Sequence, residues 1–166
     1  AQALLATSSS FYAVYHCPKG LRDIALRIHS TAAFVETALS GLGFKQLNST
    51  YFDTLRLQLP SQITQDNVRD MAEMRNINLR YFDTGEVGIS IDETTDYNKV
   101  SELLAVFAMA VGSSKEFEVE DIKKRIIIKP DLLRESPILT HENFNLYHSE
   151  TELMRYIKRL ERKDIS

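Results

Sequence analysis

The richest stretch of chemistry in this sequence is residues 140–151, a short irregular run. It holds His141 and His148, Asn143 and Asn145, Tyr147, and the carboxylates Glu142 and Glu150. Loops this polar and aromatic serve binding more often than packing. Within the run, however, nothing completes a nucleophile–base–orienter set or a metal ligand set.

The other chemical candidates are sparser. His16 and Cys17 adjoin each other before Pro18-Lys19-Gly20. A structural metal site needs two more partners, and none is suitably spaced. Cys17 as a nucleophile needs an oriented base, which adjacency alone does not supply. His29 stands beside Ile28 and is placed at the edge of a buried helical stripe. Asp92, Glu93 and Asp96 are close enough to hold a cation or act as an acid–base pair. They also directly precede a helical stripe, where the helix dipole favours carboxylates, and that reading is preferred. Arg155, Lys158, Arg159, Arg162 and Lys163 lie toward the chain end. They form either a patch for phosphate or an acidic partner, or the polar face and C-terminal cations of a helix. Gly41-Leu42-Gly43 follows a helix and is too short for a nucleotide fingerprint, so it is read as a helix stop.

The elements that must position these residues follow from periodicity. Residues 1–17 are apolar and aromatic, and Pro18-Lys19-Gly20 interrupts them as a turn. Leu21, Ile24, Ala25, Ile28, Ala32, Val35, Leu39 and Leu42 then recur at three- and four-residue steps. That spacing puts them on one face of a long helix. Between Tyr51 and Leu59, Leu55, Leu57 and Leu59 alternate with polar residues, as in a strand with one buried face. A short helix starts near Thr64 with Val68, Met71 and Ala72 inward. Ile77, Leu79 and Tyr81, then Val87, Ile89 and Ile91, predict a hairpin around Asp83-Thr84-Gly85-Glu86. A third helix starts near Thr94 or Thr95 as cap, with Val100, Leu103, Leu104, Phe107 and Val111 inward. The order helix, strand, strand, helix, hairpin, helix predicts an α+β fold, a two-layer sandwich of antiparallel strands with helices on one face. Residues 113–137 mix charges around Ile126-Ile127-Ile128 and read as a surface connector whose isoleucines could add an edge strand. Ser149 and Glu152 form a capping box. It opens a C-terminal helical arm with the stripe Leu153, Tyr156, Ile157 and Leu160.

Bulk properties narrow the class. The 166 residues carry 43% hydrophobic and 26% charged side chains, ordinary values for a globular protein. A net charge of −3 provides no basic field for nucleic acid or anionic lipid. No apolar run reaches bilayer-spanning length. One cysteine excludes an internal disulfide framework. The chain opens on Ala1-Gln2-Ala3-Leu4-Leu5-Ala6, like the middle of a helix, and closes on Lys163-Asp164-Ile165-Ser166 with no terminating device. The expectation is an internal piece of a longer protein without a complete active site.

Several segments carry a resemblance. Residues 145–152, continuing through Met154-Arg155-Tyr156 to Leu160-Glu161-Arg162-Lys163-Asp164-Ile165-Ser166, closely resemble the P-protein family of the glycine cleavage system, the glycine dehydrogenases (decarboxylating). Ala1-Gln2-Ala3-Leu4-Leu5-Ala6, Tyr12-Ala13-Val14-Tyr15-His16, Tyr51-Phe52-Asp53-Thr54-Leu55 and Gly88-Ile89-Ser90-Ile91-Asp92-Glu93-Thr94 are similar in the same order, from end to end. Departures are local. Cys17 stands where the family usually has glycine, Ser8-Ser9-Ser10 is unusually polar, and 113–135 match poorly.

The resemblance implies a pyridoxal-phosphate enzyme of the aspartate-aminotransferase fold type, built from two homologous halves. Such an enzyme decarboxylates glycine and passes the aminomethyl group to the lipoyl arm of the H-protein. It implies that residues 1–111 are the small domain of the first half, 112–137 the connector, and 138–166 the N-terminal arm of the second half. It also implies that His148, Ser149 and Glu150 are arm contacts near the parent's active site. The Schiff-base lysine and the family's Gly-Ser-Cys-Thr-Met-Lys loop fall after Ser166. The segment alone is then expected to bind no cofactor and to be inactive. The parent would be a homodimer, cytoplasmic in a bacterium or in the mitochondrial matrix of a eukaryote. Cut from the second half, the arm is expected to be disordered or packed on a neighbouring chain. The competing reading is a free-standing α+β module that binds a small regulatory molecule, which rests on fold analogy alone.

Overall fold

The computed structural model describes residues 2–117, 119, 122 and 127–164. The chain divides into two compact units, Ala25–Leu132, and Ala1–Ile24 with Leu133–Ser166.

The unit Ala25–Leu132 holds the sheet. Its first helix is the later part of α1 (Ala3–Ser40). The predicted glycine stop ends it: Gly43 adopts φ 91°, and the Phe44 amide returns to the Leu39 carbonyl at 3.1 Å. Strands β1 (Lys45–Gln46), β2 (Thr54–Gln58), β3 (Arg80–Tyr81) and β4 (Val87–Ser90) form one sheet in the order β1-β2-β4-β3. All pairs are antiparallel, with Leu55 opposite Ile89 and Leu57 opposite Val87. Helix α2 (Gln65–Glu73) starts at Thr64, whose side chain caps it as part of a capping box with Asn67. Helix α3 (Tyr97–Ala110) follows the hairpin. The fold is thus the expected α+β arrangement of antiparallel strands and helices.

The core explains the pattern. Leu55 and Leu57 of β2, and Val87 and Ile89 of β4, turn one face inward. They meet Val35 and Leu39 of α1, Val68 of α2, and Val100, Leu104 and Phe107 of α3. Phe44 meets Phe107 edge to face at 5.0 Å between ring centres. On the opposite face, the Arg56 and Arg80 guanidiniums lie over the Phe82 ring, at 4.4 and 5.5 Å from its centre. Gly88 makes room for that arrangement, because a Cβ there would come within 3.1 Å of both Arg80 and Phe82.

Three details depart from expectation. The cap of α3 is Asp96, whose carboxylate accepts the Lys99 amide at 2.9 Å. Thr94 and Thr95 are turned into the preceding loop instead: both hydroxyls donate to Asp92, and the Thr95 oxygen accepts the Asp92 amide. Phe117, Val119 and Ile122 of the connector pack on the core, so that stretch is not wholly a surface segment. The edge strand foreseen at the isoleucine run falls partly on Ile126, outside the described residues. Ile127 and Ile128 are not in a strand.

In the unit Ala1–Ile24 with Leu133–Ser166, the helical stretch from Ala3 is broken at Cys17, which has φ 56° and ψ 176°. The break thus falls one residue before the expected turn. Pro18, which lacks an amide hydrogen, restarts the helix where no bond is needed. The arm forms α4 (Glu150–Glu161). It is a helix rather than a disordered tail, because the Ser149–Glu152 box satisfies its first turn. No residue of α4 is fully buried; Phe11 meets Tyr156 edge-on at 6.3 Å. Among the described residues, no helix is long and apolar enough to cross a membrane.

Candidate functional site

The polar run at 140–151 folds mostly onto itself. His141 Nδ1 accepts the Asn143 amide at 3.2 Å and caps a single turn of three-ten helix, Glu142–Phe144. Asn145 donates to the carbonyls of Leu139 and His141. Asn143 donates to the Tyr156 hydroxyl at 3.2 Å. Tyr147 stacks on Tyr156 at 4.3 Å with 14° between the planes. Arg159 lies over both rings and donates to the Tyr147 hydroxyl at 2.5 Å. One turn of α4 and the loop before it are therefore locked by an aromatic–guanidinium stack.

This stack bounds an open groove of about 450 Å³, lined by Leu146, Tyr147, Glu152 and the cations of α4. Lys158 is held by Glu161 at 2.5 Å. Arg155 and Arg162 have no partner among the described residues. The groove can attract an anion, but it holds no acid–base pair. Of the three residues singled out at the arm, Ser149 is committed to the cap. Its hydroxyl accepts the Glu152 amide at 3.3 Å and donates to the Glu152 carboxylate at 2.9 Å. The Ser149 hydroxyl is also the main reason the Glu152 carboxyl sits below its usual range. His148 and Glu150 are exposed at the start of α4. The structure brings the three together at one helix end without making a reactive set of them.

The remaining candidates are structural. His16 packs against Tyr12 and Tyr15, at 4.3 and 5.2 Å between ring centres. Asp92 holds the loop before α3: hydrogen bonds from the Thr94 and Thr95 side chains keep its carboxyl below the usual range. Among the described residues, no three His, Cys, Asp or Glu side chains could hold a metal ion. His29, expected at the edge of a stripe, is 2% exposed and bonded through both ring nitrogens. Sequence reasoning missed this, because its partners lie 23 and 98 residues away.

The resemblance also implies pyridoxal phosphate. A Schiff-base lysine is activated by a desolvated pocket or a neighbouring cation. Every described lysine is exposed. Among the described residues no lysine sits in such a pocket, so these residues do not fit the Schiff-base position of that cofactor.

The model of the glycine cleavage system P-protein family matches residues 1–107. The glycine dehydrogenase (decarboxylating) of Bacteroides fragilis strain YCH46 is 56% identical over 167 residues, covering 100% of this chain. The enzymes of that name from Bacteroides thetaiotaomicron and Christiangramia forsetii are 51% and 48% identical, again over 100% of the chain. The chain spans 17% of the length of each of these relatives. With the family match over residues 1–107 and similarity running from end to end, the chain belongs to the glycine cleavage system P-protein family.

Proposed function

We propose that this chain is a non-catalytic segment of a pyridoxal-phosphate-dependent glycine decarboxylase. The whole protein would convert glycine to carbon dioxide and transfer the aminomethyl group to the lipoylated H-protein. One observation carries the reading: 56% identity along the entire chain to a relative bearing the name glycine dehydrogenase (decarboxylating). The cofactor would supply the electron sink for decarboxylation, held by residues beyond Ser166. Residues 1–111 would be the small domain of the first half, 112–137 the connector, and 138–166 the arm of the second half. The exposed His148 and Glu150, with Ser149 fixing the helix start, would face the parent's active site as arm contacts. The parent would be a homodimer, in the cytoplasm if its source is a bacterium and in the mitochondrial matrix if its source is a eukaryote.

Two measurements test this. The reading frame is expected to continue past Ser166 into a pyridoxal-phosphate lysine motif, and a stop codon there would sink the reading in favour of a free-standing module. The intact polypeptide should exchange labelled bicarbonate with glycine in the presence of H-protein. The 166-residue chain with pyridoxal phosphate and glycine should release none. Carbon dioxide release by that chain would overturn its non-catalytic role.

A further inference from the structure

His29 is the buried titratable side chain that no part of the proposed activity uses. Its Nδ1 lies 2.8 Å from the Phe52 carbonyl oxygen, just before β2. Its Nε2 lies 3.1 Å from the Ile127 amide nitrogen, in the connector. A carbonyl can only accept a hydrogen bond, and a backbone amide can only donate one. Only a ring with hydrogen on Nδ1 and a free lone pair on Nε2 satisfies both. The ring also stacks on Phe52, 6° from parallel with centres 5.8 Å apart, so its orientation is held by more than the two bonds.

Ile127 is only partly covered. Its side chain is 38% exposed, and downstream Leu132 is 61% exposed. Upstream, Phe117, Val119 and Ile122 of the connector pack on the core. Among the described residues beyond Ile122, the bond to His29 ties the connector backbone to α1.

We infer that His29 is a positioning residue: through its Nδ1–H tautomer it bridges α1, the approach to β2 and the connector, and so sets where the chain leaves the sheet unit. This holds whether or not the parent decarboxylates glycine. On the proposed reading, this is where the first half hands over to the second.

The test uses the full chain, observed by NMR. The ring nitrogens should show the Nδ1–H tautomer, and the Ile127 amide should be protected from exchange. His29→Asn keeps a donor near the Nδ1 position but does not reach Ile127. It should speed Ile127 exchange about tenfold, the worth of one hydrogen bond, while the β2 and β4 amides stay protected. His29→Gln places a carbonyl near the Nε2 position and should restore part of that protection. A merely space-filling role predicts no such split between the Ile127 amide and the β2 and β4 amides. An Nε2–H tautomer, or an unprotected Ile127 amide in the unsubstituted chain, would overturn the inference without any variant. So would Ile127 exchange unchanged in His29→Asn. If the variants fail to fold, the tautomer and the amide protection of the unsubstituted chain decide the matter.

Discussion

At the residue scale, Cys17 is the point of strain. Its φ of 56° with ψ of 176° borders a region that only glycine enters freely. Holding an L side chain there costs on the order of 1–3 kcal/mol. Glycine at this position would relieve the strain but lose more chain entropy on folding, by roughly 0.5–1 kcal/mol. Cys17→Gly should therefore stabilise the chain by about 1 kcal/mol, read as a higher urea midpoint with unchanged slope. This accounts physically for the glycine that the family resemblance places there. Gly88 is the opposite case. A side chain would press on Arg80 and Phe82, so Gly88→Val should destabilise by about 1–3 kcal/mol, read in the same titration.

At the element scale, α4 depends on its first turn. Leu153, Tyr156 and Ile157 of its apolar stripe are half-buried and Leu160 is exposed, so no residue of it is anchored by full burial and the first turn matters more. Ser149→Ala should cost the helix about 1 kcal/mol, seen as faster exchange of the amides at 151–155. The box is also sensitive to pH. Hydrogen bonding to Ser149 lowers the Glu152 pKa in the folded state. A lowered carboxyl pKa contributes stability that is fully present above the ordinary glutamate value of about 4.3 and is lost as pH falls through the lower folded value. Protection of the α4 amides should thus hold at neutral pH and decline below about pH 4. The decline should shrink in Ser149→Ala.

At the scale of the whole molecule, one hydrophobic centre holds the sheet unit together. Phe107 is fully buried and meets Phe44 edge-on while touching the rest of the core. Truncating it leaves a cavity that rigid neighbours cannot fill. Phe107→Ala should cost about 3–5 kcal/mol, measured by chemical denaturation, and should lower the midpoint more than any surface change.

Much of this architecture is legible in the sequence. The stripe from Leu21 to Leu42, the alternation of Leu55 and Leu57, the hairpin around Gly85 and the stripe of α3 each repeat a local period. A period is a property of neighbours in sequence, so residues a few places apart suffice to reveal it. The capping box at Ser149 is local in the same way, and the ordered match along the chain identified the family. What tertiary structure decided was non-local. Strand β1 has two residues, too few to show a period. Asp96 rather than Thr94 or Thr95 caps α3, because both threonine side chains turn back into the loop around Asp92. Phe117, Val119 and Ile122 reach the core from among charges that masked them. The polar run at 140–151 spends its hydrogen bonds on its own loop and on Glu152, Tyr156 and Arg159 of α4, which sequence could not distinguish from a binding site. His29 shows the same limit most sharply. Its place on α1 followed from spacing, but its two partners come from segments that only the folded chain brings together, and they decide its tautomer.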